Sequence, residues 1–274
     1  MTNILQNLLS ILQTSCYVYL SLIILFYFLS NFFIFFPPKP TTFISDLDTH
    51  VIDAHKLNVG ENQQALKIPP IHSLYYPNPA SKYTILFSHG NAEDLGSLQP
   101  LLRYFNQKGY SIFAYDYSGY GLNNGKPNEK NTYANITAAY QYLTQTLKVN
   151  PKHIILYGRS LGGGPSVELA SQYPVGGLIL ESTFVTAYRI KTRYPIIPFD
   201  KYKNIRKISK VQAPIMVIHG EKDSLIPIWH GQALYNKAKQ PKTFYAVPNA
   251  EHNNLIMVAG EEYWAQLSRF IENI

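Results

Sequence analysis

Residues 153–171 read HIILYGRSLGGGPSVELAS. His153 to Leu156 is a short, mostly apolar run bounded by Pro151, while Ser166 to Ser171 spaces its apolar residues as an amphipathic helix does. Between them lies Gly158-Arg159-Ser160-Leu161-Gly162, so the order is strand, Gly-x-Ser-x-Gly, helix, the setting of a nucleophile elbow. A serine on so sharp a turn is held in a strained backbone conformation. Gly158 and Gly162 lack the β-carbon that close neighbouring backbone would strike. The hydroxyl is expected to stand clear at the carboxyl edge of a sheet, with a helix N-terminus behind it that favours developing negative charge. The same residues also suit a Gly-rich turn in any α/β protein, so what decides between them is whether the rest of the chain supplies partners for Ser160.

Working outward, short apolar runs alternate with amphipathic ones. The pattern predicts strands at 84–87, 111–115, 154–157, 177–180, 215–218 and 243–247. Helices are predicted at 98–105, 133–147, 167–173, 232–238 and 262–274. An additional antiparallel edge strand is predicted at 71–76. Buried apolar strands separated by helices mean a mostly parallel sheet covered on both faces, with ligands outside the strands' carboxyl ends, where Ser160 lies. One stretch breaks the alternation. Residues 182–210 carry aromatics, prolines and most of the clustered basic side chains, and are expected to form a short lid-like insertion over the strand ends.

With 274 residues, 46% of them hydrophobic, the chain can hold one large catalytic domain and a short appendage. From Met1 to Pro38 there is no charged side chain, and 16–36 runs CYVYLSLIILFYFLSNFFIFF. About 20 apolar helical residues cross a bilayer, so residues 1–38 are expected to be a transmembrane anchor. A cleaved signal peptide fits less well, because it has a basic beginning, a shorter core and a small-residue cleavage site. Residues 39–69 are read as a linker and irregular lead-in, and 70–274 as the catalytic domain. Lys39 and Lys56 follow the span with no Lys or Arg before it, which by the positive-inside tendency favours a cytoplasmic C-terminal domain.

The net charge is +7. An ordinary solvated face accounts for the basic cluster at 189–210; as a ligand site it suits a lipid surface better than nucleic acid, since no Gly- or Arg-rich repeat accompanies it. Cys16 stands alone, so no intramolecular disulfide can form, and no Cys/His spacing suits zinc. Neither a metal nor another cofactor is expected. Gly119 to Gly125 lacks both phosphate-loop spacings, which leaves nucleotide binding unsupported.

A serine nucleophile needs a base and an acid to orient that base, and on an elbow of this kind the acid and then the base follow it in the chain. Of the histidines after Ser160, His252 lies in the polar loop Pro248 to Asn254 just after the last strand. His219 ends a strand and is read as structural, and His230 is read as exposed. For the acid, Asp223 lies just beyond the strand 215–218, with Glu181 as the alternative. Asp116 precedes the serine and is read as a carboxylate that fixes its own loop. The oxyanion hole is expected from the backbone amides of Leu161 and Asn91, the latter beside Gly90 in the loop after the first parallel strand.

FSHGNAEDLG (87–96), YDYSGYG (115–121), GKPNEKN (125–131), ILYGRSLGGGPSVELAS (155–171), KISKV (207–211) and VIHGEKD (217–223) together resemble the α/β-hydrolase-domain protein 17 family. These are membrane-associated serine hydrolases that remove palmitate from protein cysteines. The chain is also similar to membrane-anchored, serine aminopeptidase-like hydrolases. The resemblance covers about residues 70–272 and implies an α/β-hydrolase fold with Ser160, Asp223 and His252 as nucleophile, acid and base. Two features depart from the family: a hydrophobic span replaces its Cys-rich N-terminus, and Glu251 replaces the usual Gly before the base, placing a carboxylate close to His252. The expectation is therefore a membrane-anchored hydrolase of acyl esters or thioesters, acting on a small-molecule or lipid-like acyl substrate or an acylated protein. An aminopeptidase-like activity or an inactive scaffold are the alternatives.

Overall fold

A computed structural model describes residues 2–41, 49–54, 57 and 68–274, with Thr2 and Asn3 described by backbone alone. Lys56, and residues 42–48, 55–56 and 58–67 of the segment read as a linker, lie outside the described residues. The chain divides into two compact units, Met1–Phe36 and Pro37–Ile274.

The first unit is helix α1, Thr2–Ile34. Within it Ile4–Ile34 is a candidate membrane span of mean hydropathy 2.0. The helix exposes leucines, isoleucines and aromatics on every side, so no single face is set apart for packing on a core. It begins well before residue 16 because 2–15 is also free of charge.

The second unit holds one eight-stranded sheet in the order β1-β2-β4-β3-β5-β6-β7-β8. The strands are β1 Thr49–Ile52, β2 Ile71–Tyr76, β3 Thr84–Ser88, β4 Ser111–Tyr115, β5 Ile154–Arg159, β6 Gly177–Glu181, β7 Ile215–Gly220 and β8 Lys242–Val247. β1 and β2 pair antiparallel, as do β2 and β4; from β4 through β8 every pairing is parallel. β3, β4, β6 and β7 are buried along their whole length. Helices cover both faces, so these strands read as continuous apolar runs rather than alternating ones.

Helices α2 (Leu95–Gln107) and α8 (Glu261–Glu272) cover one face. There Phe87 stacks on Tyr157 at 5.0 Å, and Phe105 meets Tyr157 and Trp264 edge-on. The other face carries α3 (Glu129–Gln141), α4 (Gly163–Ala170), α5 (Asn204–Lys207) and α6 (Trp229–Lys237), packed in succession. A five-residue helix, α7 (Leu255–Ala259), links β8 to α8. The helix expected at 133–147 begins a turn earlier and ends in a π-turn at Tyr142–Thr146. Strand β1 falls inside the segment read as irregular.

The insertion after β6 begins buried: Ser182, Thr183, Phe184 and Val185 are all within 2% of full burial. It then makes an excursion whose neck is closed by Ala187 N donating to Lys201 O at 2.9 Å and Tyr188 N donating to Asp200 Oδ1 at 3.0 Å. Beyond the neck, Tyr202 is fully buried.

Candidate active site

Ser160 follows β5 directly, at φ 51°. That is a costly conformation for a non-glycine residue and marks a backbone held by its surroundings. The flanking glycines show how. A β-carbon on Gly158 would strike the backbone of Gly162, and one on Gly162 would strike the Ser88 and His89 carbonyls. The elbow is thus wedged against the end of β3, and Thr183 Oγ1 donates to the Ser160 carbonyl at 2.8 Å.

His252 comes from the loop after β8 and is 8% exposed. Its Nε2 lies 3.0 Å from Ser160 Oγ and its Nδ1 lies 2.7 Å from Asp223 Oδ2. The other carboxylate oxygen of Asp223 accepts from Leu225 N at 3.0 Å and Ile226 N at 2.7 Å, so the carboxylate cannot rotate away. Burial would raise the Asp223 carboxyl, but hydrogen bonds from His219, His252 and Ile226 N outweigh it and hold the group well below the usual carboxylate range. An ionised Asp223 accepting at Nδ1 puts the imidazole proton there, which leaves the Nε2 lone pair facing the serine hydroxyl.

The loops carrying Asp223 and His252 are joined to each other. Lys222 N donates to Ala250 O at 2.9 Å and Glu221 N to Val247 O at 3.1 Å; Ser224 Oγ donates to Glu251 Oε2 at 3.1 Å. The Glu251 carboxylate, which the sequence placed close to His252, is engaged by the acid loop. His219 is fully buried, its Nε2 donating to Ile226 O at 2.7 Å, in keeping with a structural reading.

The loop after β3 passes beside the nucleophile: a β-carbon on Gly90 would lie 3.6 Å from Ser160 Cβ. Glu93 fixes this loop, accepting from Gly90 N at 2.7 Å and pairing with Arg159. Asn91 Oδ1 accepts from Tyr120 at 2.6 Å, and His89 O from Tyr117 at 2.7 Å. The amide of Leu161 precedes the first bond of its helix, among the donors a helix start leaves unpaired. Glu93, Arg159, Thr183 and Tyr120 were not singled out from sequence. Arg159, a charge beside the nucleophile, was the one available signal, since a half-buried guanidinium calls for a counter-ion.

The alternative acid, Glu181, is not brought to His252. It is buried and accepts from Tyr157 and Tyr263, whose hydroxyls burial pushes well above their ordinary range. Asp116 Oδ1 accepts from Leu95 N at 3.0 Å and lies 3.4 Å from His89 Nε2, so its carboxylate braces the connection after β3 rather than its own loop. His230 is fully buried rather than exposed, because the start of the insertion covers α6 and Val185 N donates to His230 Nδ1 at 3.2 Å. Burial, with the nearby His219 and Arg189, pulls its imidazole down to about 3. A cavity of about 760 Å³ opens at the strands' amino ends, lined by Lys82, Lys152 and Lys210 among others, away from Ser160.

Residues 79–202 match the family model described as serine aminopeptidase, S33. The chain is 43% identical over 199 residues to alpha/beta hydrolase domain-containing protein 17C of Mus musculus, covering 71% of this chain and 61% of that protein. It is 40% identical over 200 residues to alpha/beta hydrolase domain-containing protein 17B of Xenopus tropicalis, covering 71% of this chain and 68% of that one. The match thus spans about three fifths to two thirds of those relatives' length. Among solved structures, an esterase of Pyrococcus furiosus superposes with a TM-score of 0.68 at 16% identity, covering 86% of this chain and 98% of the esterase; that likeness is one of fold.

Proposed function

The chain belongs to the alpha/beta hydrolase domain-containing protein 17 family, and from that premise we propose that it is a hydrolase that cleaves acyl esters or thioesters through an acyl-enzyme on Ser160. The observation that carries this reading is His252, within hydrogen-bond distance of Ser160 Oγ on one side and Asp223 on the other. His252 Nε2 takes the hydroxyl proton as Ser160 Oγ attacks the acyl carbon, and Asp223 stabilises the imidazolium. The amides of Leu161 and Asn91 receive the oxyanion. The imidazolium then protonates the departing alcohol or thiol, and water, activated by the same histidine, releases the acid.

In this reading Ile4–Ile34 anchors the protein as a single membrane span, with the catalytic unit on the cytoplasmic side as Lys39 suggests. The S-palmitoyl cysteine implied by the family resemblance is the first acylated-protein substrate to try. A second reading, cleavage of N-terminal peptide bonds, is favoured by the description of the matched family model. One experiment separates these: the full-length protein is incubated with a fluorophosphonate probe, long-chain acyl thioesters and aminoacyl amides. Probe labelling that requires Ser160, together with thioester turnover, supports the acyl reading. Amide cleavage without ester or thioester turnover would replace it with the second, and absence of labelling would indicate an inactive scaffold.

A further inference from the structure

Asp223 is met by two histidines, and the chemistry proposed above uses only His252. The other, His219, stands near the end of β7 and is fully buried. Before it in the strand come Ile215, Met216, Val217 and Ile218, apolar and equally buried. A residue needed only to fill this place would be apolar too, because burying an imidazole costs stability unless its nitrogens are paired. Here one nitrogen is paired and the other is not. His219 Nε2 lies 2.7 Å from Ile226 O and 3.4 Å from Asp223 Oδ2, whereas Nδ1 has no hydrogen-bond partner among the described residues. Nδ1 faces α6 at Gly231, where a β-carbon would come within 2.7 Å of it. The backbone of α6 thus backs directly onto the ring on the side away from Asp223.

The direction of each bond follows from the partners. A carbonyl and an ionised carboxylate only accept, so the proton of His219 sits on Nε2 and is shared unequally between Ile226 O and Asp223 Oδ2. Ile226 in turn donates its own N–H to Asp223 Oδ1 at 2.7 Å, beside Leu225 N at 3.0 Å. The turn 223–226 is thereby closed from both sides: two amides hold one carboxylate oxygen, while His219 holds the Ile226 carbonyl and aims the same N–H toward the other oxygen. That second oxygen is the one 2.7 Å from His252 Nδ1. Burial works to raise the Asp223 carboxyl, and His219 is foremost among the groups that oppose it. Where Oδ2 goes, the imidazole follows, and its Nε2 must meet Ser160 Oγ. We propose that His219 is a positioning residue of the hydrolytic site, fixing the Asp223 carboxylate and through it the imidazole of His252 without touching substrate. The proposal rests on the reading of Ser160, Asp223 and His252 as the reacting set.

The test uses the full chain in detergent and three variants. His219→Met fills the space without a donor, His219→Gln carries an amide N–H to the place of Nε2, and His219→Asn stops short of it at the place of Nδ1. Each is compared with wild type for Tm, for kcat and KM on a p-nitrophenyl ester, and for the rate of fluorophosphonate labelling. His219→Met should lower kcat and the labelling rate by about 10- to 100-fold, the scale of a small misplacement in the site, with KM unchanged. His219→Asn should do the same, which keeps the test open if the Met variant does not fold, and His219→Gln should recover most of the rate. A cycle with Asp223→Ala separates positioning from packing. Once the carboxylate is gone, His219→Met should cost no more than about two-fold further, whereas a histidine acting only on stability would give losses that multiply. A third readout needs no turnover: the proton between His252 Nδ1 and Asp223, in a charge-assisted hydrogen bond, gives a low-field proton resonance that should move or broaden in His219→Met and return in His219→Gln. Wild-type kcat in the folded Met or Asn variant, multiplying losses in the cycle, or an unmoved resonance would each overturn the proposal. Ser160→Ala reports the underlying reading separately. Turnover that survives it fails the reading of the site, whereas turnover lost there but kept in His219→Met fails the positioning role alone.

Discussion

At the scale of single residues, Ser160, Asp223 and His252 make the most direct predictions. Ser160→Ala should remove fluorophosphonate labelling and lower kcat by about a million-fold, as loss of a nucleophile does elsewhere; turnover close to wild type in the purified variant would exclude Ser160 from the chemistry. Asp223→Asn keeps the shape but reverses the imidazole tautomer, so kcat should drop by roughly ten thousand-fold. Glu181→Gln, whose partners are tyrosines, should cost far less. His230 allows a pH test. Its folded value of about 3 lies below the ordinary imidazole value of about 6.5, so the unfolded chain binds the extra proton in that interval. Stability is then fully present above about pH 6.5 and falls as pH drops toward the folded value, by at most about 1.4 kcal/mol per pH unit. His230→Asn, which keeps an acceptor for Val185 N, should flatten the decline of Tm between neutral pH and pH 5; an unchanged slope would place the sensitivity elsewhere. The approach of His252 to Ser160 was legible from chain order and strand ends, but these left Asp223 and Glu181 both open as the acid, and only the contact of Asp223 with His252 separates them. The burial of His230 was not, since Val185 lies 45 residues away and nothing local announces it.

At the scale of elements, the central strands were readable from their unbroken apolar runs, whereas β1 was not. Four residues at a sheet edge with only Ile52 fully buried give too short an alternation to detect. The start of α4 was misjudged for a different reason. Gly163 and Gly164 are poor helix formers, yet they open this helix because β-carbons there would strike Thr183 and the ring of Tyr202. Packing overrides propensity at this point. Gly164→Ala should therefore destabilise the protein by about 1–3 kcal/mol, the range for overpacking a closed core, measured by denaturant unfolding; a neutral result would mean that Tyr202 can move aside. Glu93 ties the loop after β3 to the elbow through Gly90 N and Arg159. Glu93→Gln should lower kcat by roughly 10- to 100-fold, the scale of a small misplacement in a preorganised site. Tm should change little, and KM with it. A change confined to Tm would make the pair merely structural.

At the scale of the whole molecule, the two compact units predict separable behaviour. Full-length protein should stay with membranes through carbonate washing, and a chain starting at Pro37 should be soluble and hydrolyse a small water-soluble ester at the full-length rate; loss of that activity would show that α1 contributes to the site. An acyl chain that packs against apolar side chains of the catalytic unit should gain up to about 0.8 kcal/mol per buried methylene. Efficiency on p-nitrophenyl esters should accordingly rise from acetyl toward longer chains, and a strict preference for acetyl would count against an acyl-lipid substrate. The closed neck at Ala187 and Lys201 has a consequence for how such a protein can diversify. Since the chain leaves and returns at nearly the same point, the residues between can lengthen, shorten or be exchanged for another sequence while β6, α5 and Ser160 keep their places. The excursion is then a detachable module, whose sequence can change while the geometry around Ser160 is inherited whole.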